Sequence, residues 1–163
     1  MLFRSRISRV DDRAELEAEA AALRRGLGWD ALILAREWLE LASAGEGRYG
    51  PVPQEVRTWV VDGVPFAWSF HYLHVVPGPA GFPPSPGDLA TLRRLAGEVG
   101  SAFRSRLVAA DFARDAEGRW WFIEAGPGSC AGTGHEGVFK AVARRLRGEG
   151  ARFEGDTVGG PLG

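Results

Sequence analysis

The run "QEVRTWVVDGVPFAWSFHYLHV" constrains the fold more than any other stretch of this chain. Asp62–Gly63 is the dipeptide that suits a type I′ turn, in which both central residues take positive φ. Strand-forming residues flank it on both sides, so the run reads as two antiparallel strands joined by a two-residue loop. Alternation puts Glu55, Arg57 and Trp59 on one face of the first strand and Val56, Thr58 and Val60 on the other. The second face is apolar and is expected to pack under helices, which leaves the first lining the open side of the sheet. An arginine held there needs a carboxylate or a phosphate beside it, because an unpaired buried charge costs several kcal/mol. Glu124 or Glu55 would make a structural ion pair; a bound phosphate would make a functional one. His71 and His74, three apart on a strand, face opposite sides and are not read as a metal pair.

A second hairpin is read in "VAADFARDAEGRWWFIEAGPGS", Val108 to Ser129, with its turn near Asp115–Gly118. That turn makes Asp111 and Glu124 near neighbours across the ladder. Two like charges roughly 5 Å apart on one face are destabilising. A cation, a shared proton or arginines must offset them. A divalent metal is the functional answer, since Mg²⁺ takes one or two carboxylates together with phosphate oxygens. A one-residue slip in register would instead turn each acid to water. The glycines at 126, 128, 132, 134 and 137 follow, leading into a helix near His135. Such a loop lets backbone approach a ligand closely, and a helix N-terminus can hold an anion. His135 is expected to cap that helix. Cys130, in the loop, has no base placed for it in the sequence.

The 163 residues, 45% of them hydrophobic, suffice for one core. A formal net charge of -1 gives no electrostatic case for nucleic acid or an acidic membrane. No apolar run reaches the roughly 18 residues of a membrane span, and "MLFRSRISRV" lacks the apolar core of a signal peptide. One cysteine fits a reducing, cytoplasmic setting. Lys140 is the sole lysine, so any lysine-dependent step must use it or be done by arginine. Elsewhere the chain reads as a strand at "MLFRS", a helix after Asp11–Asp12, and a buried strand in "DALILAREWLELAS". A loop follows at "AGEGRYGPVP", then a helix at "PGDLATLRRLAGEVGSAFRS" capped by Asp88 or Gly87, then the helix near His135. The order implies an α+β fold, an antiparallel sheet with helices packed on one side. It is not a dinucleotide-binding pattern, because the glycine run comes late and has no G-x-G-x-x-G followed by a ribose-binding acid.

"DFARDAEGRWWFIEAGPGSCAG" resembles the C-terminal core of ATP-grasp proteins, closest to the clade named for two arginines and one lysine. "ILAREWLEL" is similar to the strand that lines the adenine pocket, and "QEVRTWVVDG" to a strand whose arginine faces the phosphates. The resemblance runs from about Phe3 to Leu146. It implies ATP and Mg²⁺ as cofactors, with Asp111 and Glu124 holding the metal. Arg57 then contacts phosphate or the transition state, Glu37 and the backbone near Leu39 meet the adenine, and Glu40 meets the ribose. Arg4 stands where a strand lysine is usual. Gly126 stands where the usual third metal ligand would be, and Pro127 replaces the clade's acid in the glycine run. The implied domain is residues 1–147, lacking the N-terminal part of the full fold, with 148–163 a flexible tail. The implied activity is an ATP-dependent carboxylate–amine ligase, with a small carboxylate or a nucleotide as its partner. The other reading is a non-catalytic nucleotide-binding or interaction module. A homo-oligomer, or a partner that supplies the missing N-terminal part, would complete the fold.

Overall fold

A computed structural model describes residues 12–27, 38–47, 50–71, 83–131, 135–150, 152–153 and 159–162. The chain divides into two compact units, Met1–Leu39 and Glu40–Gly163. The first contains helix α1 (Arg13–Leu27). Asp12 starts it as the sequence suggests: its Oδ1 accepts from the Glu15 amide at 2.8 Å. The strands read at "MLFRS" and in most of "DALILAREWLELAS" fall outside the described residues.

The second unit opens with a small hairpin, β1 (Ser43–Gly47) and β2 (Gly50–Pro53), where the sequence suggested only a loop. Then come β3 (Glu55–Val61), β4 (Val64–Phe70), helix α2 (Pro86–Ala102), β5 (Leu107–Arg114), β6 (Trp120–Pro127), helix α3 (Glu136–Leu146) and β7 (Gly159–Pro161). Five of these strands form one sheet in the order β6-β5-β3-β4-β7, and every neighbouring pair is antiparallel. The β3–β4 turn is the one its sequence demands. Asp62 has φ 50° and Gly63 φ 78°, both in the left-handed region that a type I′ turn requires.

The α+β architecture with an antiparallel sheet is as expected, but the helices are not confined to one side. α2 lies over Val56, Val60, Val108, Ala110 and Phe112, burying Leu92 and Ala96 against them. α3 lies over the opposite face, where Val138 and Val142 pack on Trp59, Val61, Ala67 and Ala109. Trp59 shares the face of Arg57, so that face is half covered and half open. The apolar period of β3 showed which residues turn inward on one side, but it could not show that α3 crosses to the other. α2 is capped by Ser85 rather than Asp88 or Gly87. Ser85 Oγ accepts from the Asp88 amide at 3.2 Å while Asp88 Oδ2 accepts from the Ser85 amide at 3.0 Å, a reciprocal capping box with Pro86 in the first turn. The segment expected to be a loose tail supplies β7, which pairs with β4, and buries Leu162 in the core. Two glycines and a proline gave it no recognisable strand pattern. Among the described residues no helix is long and apolar enough to cross a membrane.

Candidate functional site

Three strands place three charged side chains in one row. Arg57 on β3 is the direct Cα partner of Asp111 on β5, and Asp111 is the direct partner of Glu124 on β6. Directly paired residues of antiparallel strands point to the same face. The two acids are therefore cross-strand neighbours, as the turn position implied. A register shift follows immediately, between Asp111 and Phe112.

The arginine offsets the like charges. Arg57 Nε donates to Asp111 Oδ1 at 2.8 Å and Nη2 donates to Oδ2 at 2.7 Å. This is the two-point geometry that makes arginine–carboxylate bonds strong. Both side chains are largely buried, 13% and 3% exposed, so the pair is shielded from solvent screening. Asp111, which the sequence had not offered, is the two-point partner; Glu124 and Glu55 add their charge to it. Burial pushes the Asp111 pKa up, but the hydrogen bonds and charges of Arg57 and His71 outweigh it and hold the carboxyl below its ordinary range. The same hydrogen bond raises the pKa of Arg57 against the opposing effect of burial. Glu124 is exposed at the rim.

A cleft of about 220 Å³ opens over this row. Arg57, Asp111 and Glu124 line it with charged groups, and Gly126, Pro127 and Cys130 line it as well. The glycines of this segment have different reasons. Gly128 is tight against Leu107, where a side chain would collide. At Gly126 an added Cβ meets nothing within 4 Å, and φ is not positive. Internal packing thus accounts for the first glycine and leaves space beside the second.

Two further groups join the row. Glu55 precedes Arg57 by two residues on the same face, and His71 follows β4 and donates its amide to the Glu55 carbonyl at 3.0 Å. His71 Nδ1 lies 3.4 Å from Asp111 Oδ2 and 3.8 Å from Glu55 Oε1. Contact with Asp111 raises the His71 pKa; burial opposes this, Glu55 adds to it, and Arg57 opposes it. The sequence sets His71 only against His74, which lies outside the described residues. The Asp62–Gly63 turn alone would set residue 71 opposite residue 54; the register shift between Trp59 and Val60 brings it opposite residue 55.

Arg4 and Glu37 lie outside the described residues, and Leu39 belongs to the other unit. Glu40 is exposed; its carbonyl accepts from Ala116 at the turn end of the β5–β6 hairpin, roughly 13 Å along the strand from Asp111. His135 stands at the N-cap of α3, but its side chain makes no capping hydrogen bond, and burial lowers its pKa. Lys140 pairs with Glu136 at 2.6 Å on the exposed side of α3. Compared with known families, residues 4–146 match the model of an ATP-grasp domain, family 3 of the clade named for two arginines and one lysine. No curated protein matches the chain.

Proposed function

We propose, because the chain belongs to this ATP-grasp domain family, the third of the two-arginine, one-lysine clade, that the cleft over β3, β5 and β6 receives the phosphates of ATP for a ligase reaction. Members of this superfamily use ATP and Mg²⁺. The finer reading is carboxylate–amine ligation. The γ-phosphoryl group passes to a substrate carboxylate, giving an acyl phosphate. An amine then attacks the acyl carbon, and inorganic phosphate leaves.

The observation that carries this reading is the row Glu124–Asp111–Arg57 in a cleft that Gly126, Pro127 and Cys130 also line. Its donors suit a hard dication, since both acids offer oxygen. Asp111 and Glu124 would hold Mg²⁺, which would supply charge neutralisation at the phosphates. Gly126 and Pro127 add no side-chain donor beside them, so the affinity is expected to be modest. The chain's own residues do the positioning. Arg57 holds Asp111 at a fixed place in the sheet. Paired in this way, the guanidinium and the carboxylate are neutral in sum. Arg57 attracts a phosphate strongly only when the charge of Asp111 is engaged elsewhere, so phosphate binding and metal binding at this row are coupled. Phosphoryl transfer needs little covalent chemistry from the protein beyond such positioning and charge balance.

Calorimetry with ATP, with and without Mg²⁺, tests the reading. A Kd between micromolar and millimolar that requires Mg²⁺ is expected, corresponding to about 4 to 8 kcal/mol. No binding in either titration by the folded protein would sink it. Tight binding indifferent to Mg²⁺ would show that the two acids are not metal ligands. ATP turnover in the presence of a carboxylate and an amine separates a ligase from a binding module.

A further inference from the structure

We propose that Glu55, His71 and Asp111 form a binding site for a four-coordinate transition-metal dication such as Zn²⁺, on the side of Asp111 away from Glu124. Among the described residues these three bring one ligand atom each to within 4.8 Å of one another. They are a mixed set, with one imidazole nitrogen and two carboxylates. Nitrogen ligation selects against Mg²⁺ and Ca²⁺ and for Zn²⁺ or its first-row neighbours.

The spacing agrees with that chemistry. Ligand bonds of about 2.0 to 2.2 Å in a tetrahedral site place donors roughly 3.3 to 3.6 Å apart. Octahedral Mg²⁺, with bonds of about 2.0 to 2.1 Å, would need adjacent donors at roughly 3 Å. His71 Nδ1 stands 3.4 Å from Asp111 Oδ2 and 3.8 Å from Glu55 Oε1, within a small adjustment of the tetrahedral edge. Glu55 and Asp111 are 8% and 2% exposed, which limits competition from water. Three protein ligands would leave the fourth position for water or a ligand atom.

Arg57 does not block the site. A carboxylate offers about four lone-pair positions, and Arg57 uses one on each oxygen of Asp111. Oδ2 can keep Arg57 Nη2 and still face His71. Nor does the site depend on the nucleotide reading, because it can be probed with metal alone.

Metal-free full-length chain is titrated with Zn²⁺ by calorimetry, without nucleotide, alongside His71→Ala, Glu124→Gln and Cys130→Ser. One strong site is expected in the wild type. Its affinity should fall at least tenfold in His71→Ala and stay within twofold in the other two. Absence of a strong wild-type site overturns the proposal, as does equal affinity in His71→Ala or loss in Cys130→Ser. If His71→Ala does not fold, Co²⁺ added to the wild type decides. The intense visible absorption of a four-coordinate ion, with a paramagnetically shifted imidazole resonance, supports the site; a weak octahedral spectrum without that resonance refutes it. Loss of Mg²⁺-dependent ATP binding in Glu124→Gln with Zn²⁺ binding intact would show that Glu124 serves only the Mg²⁺ site, although both sites share Asp111. Failure of ATP binding in every protein would leave the Zn²⁺ result standing on its own.

Discussion

The two ends of the β5–β6 hairpin each carry a buried aspartate, and the two are satisfied in opposite ways. At the turn end the Asp115 carboxylate is held by its own hairpin. Its carboxylate accepts from the Arg119 amide at 2.8 Å, from Arg119 Nε at 2.8 Å and from Trp121 Nε1 at 2.7 Å. These bonds close the turn. At the open end Asp111 has a second acid as its direct cross-strand partner and takes its compensation from Arg57, 54 residues away in sequence. A local aspartate of this kind is a structural device. An aspartate beside a like charge, neutralised from another strand and bordering a cleft, keeps a latent electrostatic cost that a bound cation could relieve.

That contrast can be broken by substitution, beginning with the largest expected effect. Asp115→Ala removes three hydrogen bonds and leaves the indole N–H of Trp121 without its acceptor. The melting temperature should fall by roughly 5–10 °C, while nucleotide affinity measured below the transition stays unchanged. An equal loss of affinity would mean that the turn end also serves the ligand. Next come Arg57→Met, Asp111→Asn and their double variant, compared by chemical denaturation. Arg57→Met leaves Asp111 buried beside Glu124 without its main partner, so each single change should cost about 1.5–3 kcal/mol of stability. The double should cost clearly less than the sum, with a coupling above about 1 kcal/mol. Additive costs would show that the ion pair contributes little. Glu124→Gln is exposed and should leave stability within about 0.5 kcal/mol. If Glu124 holds metal, Mg²⁺-dependent ATP affinity should drop about tenfold, or about 1.4 kcal/mol. Unchanged affinity by calorimetry would reduce Glu124 to a rim charge.

The same contrast accounts for what could be read from the chain. Both hairpins were legible because their turns are local. Asp62–Gly63 fixes one register, and the run from Asp115 to Gly118 fixes the other well enough to pair Asp111 with Glu124. Alternation along β3 then put Glu55, Arg57 and Trp59 on one face. Not legible was which strands lie side by side. The β3–β5 ladder, which brings Arg57 to Asp111, joins segments with α2 between them, and nothing local encodes that register. His71 was missed for a related reason: counting back from the first turn sets residue 71 opposite residue 54, and only the register shift between Trp59 and Val60 brings it opposite Glu55. Nor could the sequence place α3 on the cleft face, because the apolar stripe of a helix says that it packs but not on which side of a sheet. The β7 segment escaped notice because Gly159 and Gly160 carry no side-chain pattern, and Gly159 lets β7 lie close to Trp68 and Ser69.

The smallest expected effect sharpens the comparison most, because it attempts to convert one end of the hairpin into a fuller metal site. Gly126 lies two residues beyond Glu124, on the same face of β6, and lines the cleft. Its glycine is not explained by packing, since a Cβ there has open space, nor by φ. A side chain is therefore admissible, and replacing a strand-interior glycine also lowers the entropy of the unfolded chain. Gly126→Asp brings a third carboxylate to the open end. Without a cation this adds repulsion to a row that already holds Asp111 and Glu124, so the variant should gain little stability and could lose about 0.5 kcal/mol. With Mg²⁺ the same carboxylate becomes a ligand. The Mg²⁺-dependent part of ATP affinity should rise three- to tenfold, about 0.7–1.4 kcal/mol. Gly126→Ala, which fills the same space without a donor, should give the stability gain and no rise in metal dependence. Equal behaviour of the two variants in calorimetry against Mg²⁺ and ATP would mean that no metal sits between Glu124 and Asp111, and that the acid pair is offset by Arg57 alone.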